Sequence, residues 1–174
     1  MTDTATEPKR AEAGAGLPLA EQLLVDNVLQ EVWRICYLAN SFVFPIYARF
    51  AKEHDILRPE FVTLFCLSHY QPLIAQDIVR MTGLPKNTIS RGVKRLLDRG
   101  LIARGDHPDD RRMSRLSLTP EGRAMLNRLM PTVESRRDRL IGCLTAAERA
   151  ELDRMLTKMA QFITHRMNDA GEGS

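Results

Sequence analysis

The segment spanning residues 84–122 constrains the fold most strongly, because a helical pattern there changes directly into a hairpin pattern. A basic helix opens at Leu84-Pro85, with the proline at the position where a first helical turn tolerates it. Two short strand candidates follow, 101–104 and 115–118, and the stretch between them is rich in turn-forming residues. The order helix, strand, turn, strand predicts a helix with a small projecting wing.

Positive charge is concentrated in the same segment. Residues 86–115 contain nine Lys and Arg residues against four Asp and Glu residues, a local net charge of +5. The whole chain carries only +3, so the remaining residues sum to −2. A polyanion such as nucleic acid is the natural partner of a basic patch of this kind.

Helical patterns precede this segment. A long apolar pattern covers residues 19–54, and Pro45 is expected to kink or break that helix near Phe44. A second helix opens at residues 58–60, with a proline near its first turn. A short helix is predicted over residues 73–81, before a glycine that fits a left-handed helix cap.

Two further helices are predicted after the hairpin. Thr119 fits the N-cap of a helix that reaches about residue 144, with an interruption near Pro131. Thr145 and Glu148 have the spacing of a capping box, which predicts the start of the last helix.

These patterns together predict a mainly α fold with a small β-hairpin wing. The core is a winged helix-turn-helix, and N- and C-terminal dimerisation helices flank it. The predicted boundaries are a disordered tail over 1–16, an N-terminal dimerisation helix region over 17–57, a DNA-binding domain over 58–122, C-terminal dimerisation helices over 123–168 and a disordered tail over 169–174.

Both terminal regions carry more apolar surface than the small central domain can cover. Residues 32–44 are apolar on most helix faces, so nearly all sides of that helix need cover. The last helix carries an apolar stripe at spacings of three and four, formed by Leu152, Met155, Leu156, Met159, Phe162, Ile163 and Met167. A second copy of the chain could cover both surfaces, so the sequence predicts a homodimer.

The basic helix divides into two faces when residues are placed 100° apart. Its predicted buried side is formed by Ile89, Val93, Leu96 and Leu97. Its predicted DNA-binding side is formed by Lys86, Asn87, Thr88, Ser90, Arg91, Lys94 and Arg95. Asn87 and Arg91 are of the types that bind adenine and guanine in bidentate fashion. Lys86, Ser90 and Arg95 are expected at phosphates.

The hairpin tip predicts a second DNA contact. It carries Arg111, Arg112 and Arg115, and cations on a narrow ribbon suit the negative potential of the minor groove. Asp110 lies two residues before Arg112, where a carboxylate can hold a guanidinium in position. The alternative is an exposed ion pair that contributes about 0–1 kcal/mol and nothing more.

Three stretches form a pattern that resembles a known family: Asp110-x-Arg112-x5-Leu118-Thr119-Pro120-Glu121-Gly122, Asn87-Thr88-Ile89-Ser90-Arg91, and Leu96-x3-Gly100-Leu101-Ile102-x-Arg104. The chain resembles the MarR family of bacterial and archaeal transcription regulators over about residues 20–168. The resemblance implies an obligate, roughly triangular homodimer with interleaved terminal helices. It also implies the basic helix in the major groove of a pseudo-palindromic operator, and Arg112 in the minor groove, oriented by Asp110.

Two residues depart from the family pattern. Val79 stands where the family usually has Ala. Gly92 lies inside the recognition helix, where glycine costs about 0.5–1 kcal/mol relative to Ala. Gly92 is expected to permit the close approach of either DNA or a neighbouring helix.

The resemblance also implies a small-molecule effector that releases the protein from DNA. The corresponding region is expected to be lined by Trp33, Tyr37, Asn40, Phe44, Phe65 and His69. Trp33, Tyr37 and Phe44 can share one helix face, which favours an aromatic acid or an aromatic acyl-CoA as effector. The alternative for these residues is an ordinary dimer core.

Other functions find less support in the sequence. Enzyme motifs, metal-ligand spacings and cofactor-binding loops are absent, so neither an enzyme, a metal site nor a cofactor is predicted. No signal peptide or membrane span is visible, which favours a cytoplasmic protein. Cys36, Cys66 and Cys143 are expected to be small buried hydrophobes. A thiol-based oxidant sensor using Cys36, and a winged-helix protein-interaction module without DNA binding, remain the alternatives.

Overall fold

The computed structural model describes residue 24 and residues 29–106 and 114–171, with the backbone alone described over 165–171. The predicted N-terminal tail and the hairpin tip, which includes Asp110, Arg111 and Arg112, lie outside the described residues. The chain divides into two compact units, residues 1–56 and residues 57–174. The boundary lies one residue from the predicted end of the N-terminal helix region.

The first unit contains helix α1, Gln30–His54, which is 25 residues long. It continues through Pro45 without a break, so the predicted break near Phe44 is wrong. A proline removes one N–H donor, and a helix of this length keeps its hydrogen bonds on both sides. The helix ends at His54, Asp55 after it has φ +53°, and the N–H of Ile56 donates to the carbonyl of Phe50 at 3.2 Å.

The second unit contains the remaining described elements, which are α2 Arg58–Tyr70, α3 Ala75–Thr82, α4 Lys86–Asp98, β1 Ile102–Asp106, β2 Ser114–Leu118, α5 Pro120–Ile141 and α6 Ala146–Gly171. The core lies where α2, α3, α4, α5 and the hairpin meet, and its fully buried side chains include Leu64, Leu67, Ile78, Ile89, Leu96 and Leu129. None of the described helices is both long and apolar enough to cross a membrane.

The two strands form an antiparallel hairpin whose register runs from Ile102 opposite Leu118 to Asp106 opposite Ser114. Leu116 also exchanges two backbone hydrogen bonds with Leu73, at N···O distances of 2.7 and 3.1 Å. The prediction that a helix begins at Leu73 is therefore wrong. The backbone of Leu73 extends the hairpin, and this attaches the wing to the start of α3.

The predicted caps of the two C-terminal helices are confirmed. Thr119 Oγ1 accepts the N–H of Gly122 at 3.0 Å, and Thr145 and Glu148 form the reciprocal bonds of a capping box. Helix α5 passes through Pro131, so the predicted interruption there is wrong. Helix α6 reaches Gly171, three residues beyond the predicted boundary at 168, and the first part of the predicted C-terminal tail is helical.

Candidate nucleic-acid interface

Helix α4 has one buried and one exposed face, as its sequence pattern predicted. Ile89, Val93 and Leu96 are buried against α2 and α3, and Leu97 is half-buried. Thr88 is half-buried at the edge of the two faces. The exposed arc is formed by Lys86, Asn87, Ser90, Arg91, Lys94 and Asp98. Side-chain donors and cations, with Asp98 at the C-terminal end, therefore face away from the core along one side of the helix.

Gly92 lies on the packed side of α4, directly against the start of α2. A Cβ atom added there would lie 3.0 Å from Cβ of Pro59 and 3.2 Å from its carbonyl carbon. Such distances are tighter than ordinary van der Waals contact, so a glycine lets the two backbones approach each other. Of the two expectations for Gly92, the neighbouring helix is the one that the structure supports.

Arg95 does not belong to the exposed arc. Its guanidinium Nε donates a hydrogen bond to Oε1 of Glu60, whose side chain is fully buried, and the Arg95 side chain is 43% exposed. The angular pattern placed Arg95 beside Arg91 and predicted a phosphate contact. One partner of Arg95 is therefore a carboxylate 35 residues earlier in the chain, and the phosphate contact of this half-exposed side chain stays a prediction.

Arg104 of β1 is a candidate interface residue that the site prediction missed. It is exposed and lines two open hollows between α4 and the hairpin. It shares the first, of about 570 Å³, with Ser90 and Lys94. The second, of about 440 Å³, also contains Lys86 and Ser114. Alternation along β1 puts Arg104 on the face of the buried Ile102, so the strand pattern alone did not indicate this exposure.

The wing contributes one described residue of the predicted site. Arg115 lies in β2 opposite Gly105, and it is partly buried. Asp110, Arg111 and Arg112 lie outside the described residues. Their predicted minor-groove role stays a prediction.

Four of the six predicted effector residues lie on α1 in the first unit. Trp33, Tyr37, Asn40 and Phe44 are all exposed, and their spacings of four, three and four place them on one helix face. Phe44 is the most open of the four, with 66% of its surface exposed. The shared helix face is confirmed, whereas effector binding stays a prediction.

The other two predicted effector residues form a ring pair on α2 in the second unit. The ring centroids of Phe65 and His69 lie 4.5 Å apart, and Phe61 stacks on the other end at 6.0 Å from Phe65. His69 Nδ1 lies 2.9 Å from the carbonyl oxygen of Phe65, which can only accept a hydrogen bond. His69 Nδ1 also lies 2.9 Å from the hydroxyl oxygen of Ser68.

The three cysteines differ in exposure. Cys66 is buried, as predicted, and burial raises the pKa of its thiol. Cys36 and Cys143 are exposed, so the prediction that all three are buried is wrong for these two. Among the described residues, no cluster of three or more His, Cys, Asp or Glu side chains could hold a metal ion.

A short helix, a turn, a basic helix and a hairpin in this order define a winged helix-turn-helix regulator of the DNA-binding class. A family model described as the MarR family matches residues 54–113. The HTH-type transcriptional repressor NicR of Pseudomonas putida is 30% identical over 133 residues, which cover 76% of this chain and 84% of NicR. The chain belongs to the MarR family of transcription regulators. Its members regulate transcription and are not enzymes, which confirms that part of the prediction.

Solved structures support the same fold. The structure of Bordetella bronchiseptica BpsR, whose DNA binding is regulated by 6-hydroxynicotinic acid, is similar with a TM-score of 0.60 and 28% identity, over 73% of this chain and 98% of BpsR. A putative MarR family regulator from Listeria monocytogenes in complex with 26mer DNA matches with a TM-score of 0.71, over 85% of this chain and 96% of that chain. At 20% identity this second likeness concerns the fold alone.

Proposed function

We propose that this chain is a homodimeric repressor that binds a pseudo-palindromic operator and is released from it by a small aromatic acid. The exposed arc of α4 carries the proposal. It combines two side chains that can read bases, Asn87 and Arg91, with two flanking cations, Lys86 and Lys94. A helix with this face fits the major groove of DNA, because bases are read at the centre and phosphates at the edges.

Phosphate binding extends from α4 to the hairpin in this proposal. Ser90, Lys94 and Arg104 line one hollow together with Asp98, and a phosphate there would meet one hydroxyl and two cations from two elements beside one carboxylate. Lys86 and Arg104 line the adjoining hollow. Arg115 of β2, with Arg111 and Arg112 before it, would approach the minor groove, with Asp110 orienting Arg112.

Exposed apolar surface supports the homodimer. On α6, Met155, Leu156, Met159, Phe162 and Ile163 are each between 44% and 60% exposed. On α1, Val32, Trp33, Ile35, Tyr37 and Leu38 are each at least 40% exposed. Soluble monomers rarely expose contiguous apolar patches larger than a few hundred Å². A second copy of the same helices would remove both surfaces from water.

An aromatic acid fits the side chains that the chain offers as an effector site. The Phe61–Phe65–His69 ladder supplies ring faces, and the imidazole of His69 supplies a polar group that can form a hydrogen bond with a hydroxyl or carboxyl group. Trp33, Tyr37, Asn40 and Phe44 supply a second aromatic face. BpsR, at 28% identity, responds to 6-hydroxynicotinic acid, so a hydroxylated ring acid is the first compound to try.

The first experiment measures DNA binding. A duplex is selected from a random library with the wild-type chain, and affinity is then compared with that for a scrambled duplex over a range of salt concentrations. We expect tighter binding to the selected duplex and a steep loss of affinity with salt, because Lys and Arg release counterions from phosphates.

Arg91→Ala should lower the affinity for the selected duplex. The matched control is Arg128→Ala on α5, an exposed arginine whose Nε also bonds the carbonyl four residues earlier. Equal loss in both variants would contradict the assignment of the α4 face.

The second experiment tests assembly and release. Sedimentation from nanomolar to micromolar concentration should show a dimer, and a compact monomer throughout that range would contradict the dimer.

The DNA complex is then titrated with 6-hydroxynicotinic acid, other aromatic acids, their thioesters and peroxide. An effector must bind the DNA-incompetent state more tightly, because differential affinity alone shifts the equilibrium. Release by peroxide that disappears in Cys36→Ser, without any response to aromatic compounds, would instead favour the thiol sensor.

A further inference from the structure

The carboxylate of Glu60 lies at the meeting point of α2 and α4. Its Oε2 atom accepts the backbone N–H of Leu57 at 2.7 Å, which caps the start of α2. Its Oε1 atom accepts a hydrogen bond from Arg95 Nε. The Glu60 side chain is fully buried, so the ion pair with Arg95 is held in place on the inner side of α4.

A second contact lies beside the first. Gly92, three residues before Arg95, is the point where α4 meets the backbone of Pro59 and Glu60. Residues three apart share one side of a helix, and Gly92 and Arg95 both meet Glu60 of α2. One contact sets the distance between the two helices, and the other sets the rotation of α4 about its axis.

We propose that Glu60 is a positioning residue for DNA recognition, and that Arg95 acts on DNA through Glu60 rather than through a phosphate. The proposal rests on the proposed function, because it concerns how α4 is aimed at DNA. Side-chain tips lie about 5–6 Å from a helix axis, so a rotation of about 10° moves them by about 1 Å. Hydrogen bonds to base edges tolerate about 0.5 Å. Loss of the pair would therefore disturb base reading by Arg91 and leave the phosphate contacts largely in place.

The test variant is Glu60→Gln. Leu57 and Arg95 donate to different oxygens of the carboxylate, and the amide puts an NH2 donor in place of one of them, so one of the two hydrogen bonds becomes a donor–donor contact. The matched control is Asp77→Asn on α3, where the carboxylate also caps a helix start, through the N–H of Ile74 at 3.1 Å. The ion-pair partner of Asp77 is Arg80 on the same helix, at 3.8 Å, so this pair does not fix α4. Both variants remove one negative charge from the DNA-binding domain.

The readout is the specificity ratio, which is the affinity for the library-selected duplex divided by that for a scrambled duplex of equal length. We expect Glu60→Gln to lower this ratio about tenfold, because one good base contact changes the affinity by about that factor. The affinity for the scrambled duplex should stay unchanged. Asp77→Asn should keep the wild-type ratio. Equal ratios in all three proteins would overturn the proposal. Tighter binding by Glu60→Gln to both duplexes would also overturn it, because it would mean that a released Arg95 binds phosphate.

A second variant covers the case in which Glu60→Gln does not fold. Arg95→Lys keeps the charge and can still contact a phosphate, but it loses the guanidinium that meets Glu60. A positioning role predicts that Arg95→Lys lowers the specificity ratio and leaves the salt slope unchanged. Glu60→Gln combined with Arg95→Lys should lower the ratio no further than either single variant. An unchanged ratio in Arg95→Lys would overturn the proposal. If the wild-type chain itself binds both duplexes equally, the proposed function fails and this inference fails with it.

Discussion

Gly122→Ala tests the packing of the wing against α5 most directly. Gly122 is buried in the first turn of α5, and a Cβ atom there would lie 1.9 Å from the carbonyl oxygen of Leu101. Ordinary contact begins near 3.4 Å, so the two backbones must separate by about 1.5 Å. The same oxygen already accepts the N–H of Thr119 at 3.2 Å, and separation would weaken that hydrogen bond.

The expected loss of stability follows from these distances. Overpacking costs about 1–3 kcal/mol, and a weakened hydrogen bond costs about 1 kcal/mol more. Replacing a helical glycine by alanine returns about 0.5–1 kcal/mol. We therefore expect Gly122→Ala to lower the free energy of unfolding by about 1–3.5 kcal/mol. For a chain of this size that is a melting temperature roughly 2–14 °C below wild type.

The assay is thermal unfolding followed by circular dichroism at matched chain concentration, because dimerisation makes the melting temperature depend on concentration. The control is Gly105→Ala in β1, where an added Cβ would meet no atom within 4 Å. That variant should stay within about 0.5 kcal/mol of wild type. Equal melting temperatures for the two variants would refute the claim that the first turn of α5 is packed against Leu101.

Three further expectations concern single side chains. Arg91→Ala should cost about 1–3 kcal/mol of operator binding and relax the base preference at one position, measured on single-base variants of the selected duplex. Arg104→Gln should weaken binding to all sequences alike and reduce the salt slope by about 0.9 per protomer, measured by titration at several salt concentrations. The pKa of the Glu148 carboxyl is lowered, first by the N–H of Thr145 and then by its hydroxyl. The cap therefore stabilises the fold at neutral pH and is lost as the pH falls below about 4.5, so the melting temperatures of wild type and Glu148→Gln should converge in acid.

Local patterns predicted the elements of the DNA interface well. The apolar spacing of Ile89, Val93 and Leu96 defined the buried side of α4, because that spacing alone decides which face of an amphipathic helix meets a core. Thr119 and Thr145 marked the two C-terminal helix starts, because an N-cap bond joins residues only three apart. In each case the interacting groups are neighbours in sequence.

The predictions that failed have three different causes, and the first is a contact between distant residues. Leu73 pairs with Leu116, 43 residues later, so no local signal could show that it extends a strand instead of starting a helix. Pro45 and Pro131 are in helices that tolerate the loss of one N–H donor, and the proline rule overstated their effect. The exposure of Cys36 and Cys143 depends on which helix faces pack together. Where a helix is apolar on several sides, the spacing of its apolar residues does not determine which face is packed.

The count of charges indicated the right class of partner, a polyanion, but it included a guanidinium that pairs with a carboxylate of the protein. The net charge of +5 over residues 86–115 includes Arg95, whose partner Glu60 lies outside that segment. With this ion pair counted as neutral, the interface loses one of its positive charges. Lys86, Lys94 and Arg104 are exposed cations that line the hollows beside α4, and in the proposed complex they would together contribute about 2.7 to the salt slope per protomer. A basic segment thus identifies a polyanion as partner, but the packing of each guanidinium decides whether it binds the polyanion or holds the helix that does.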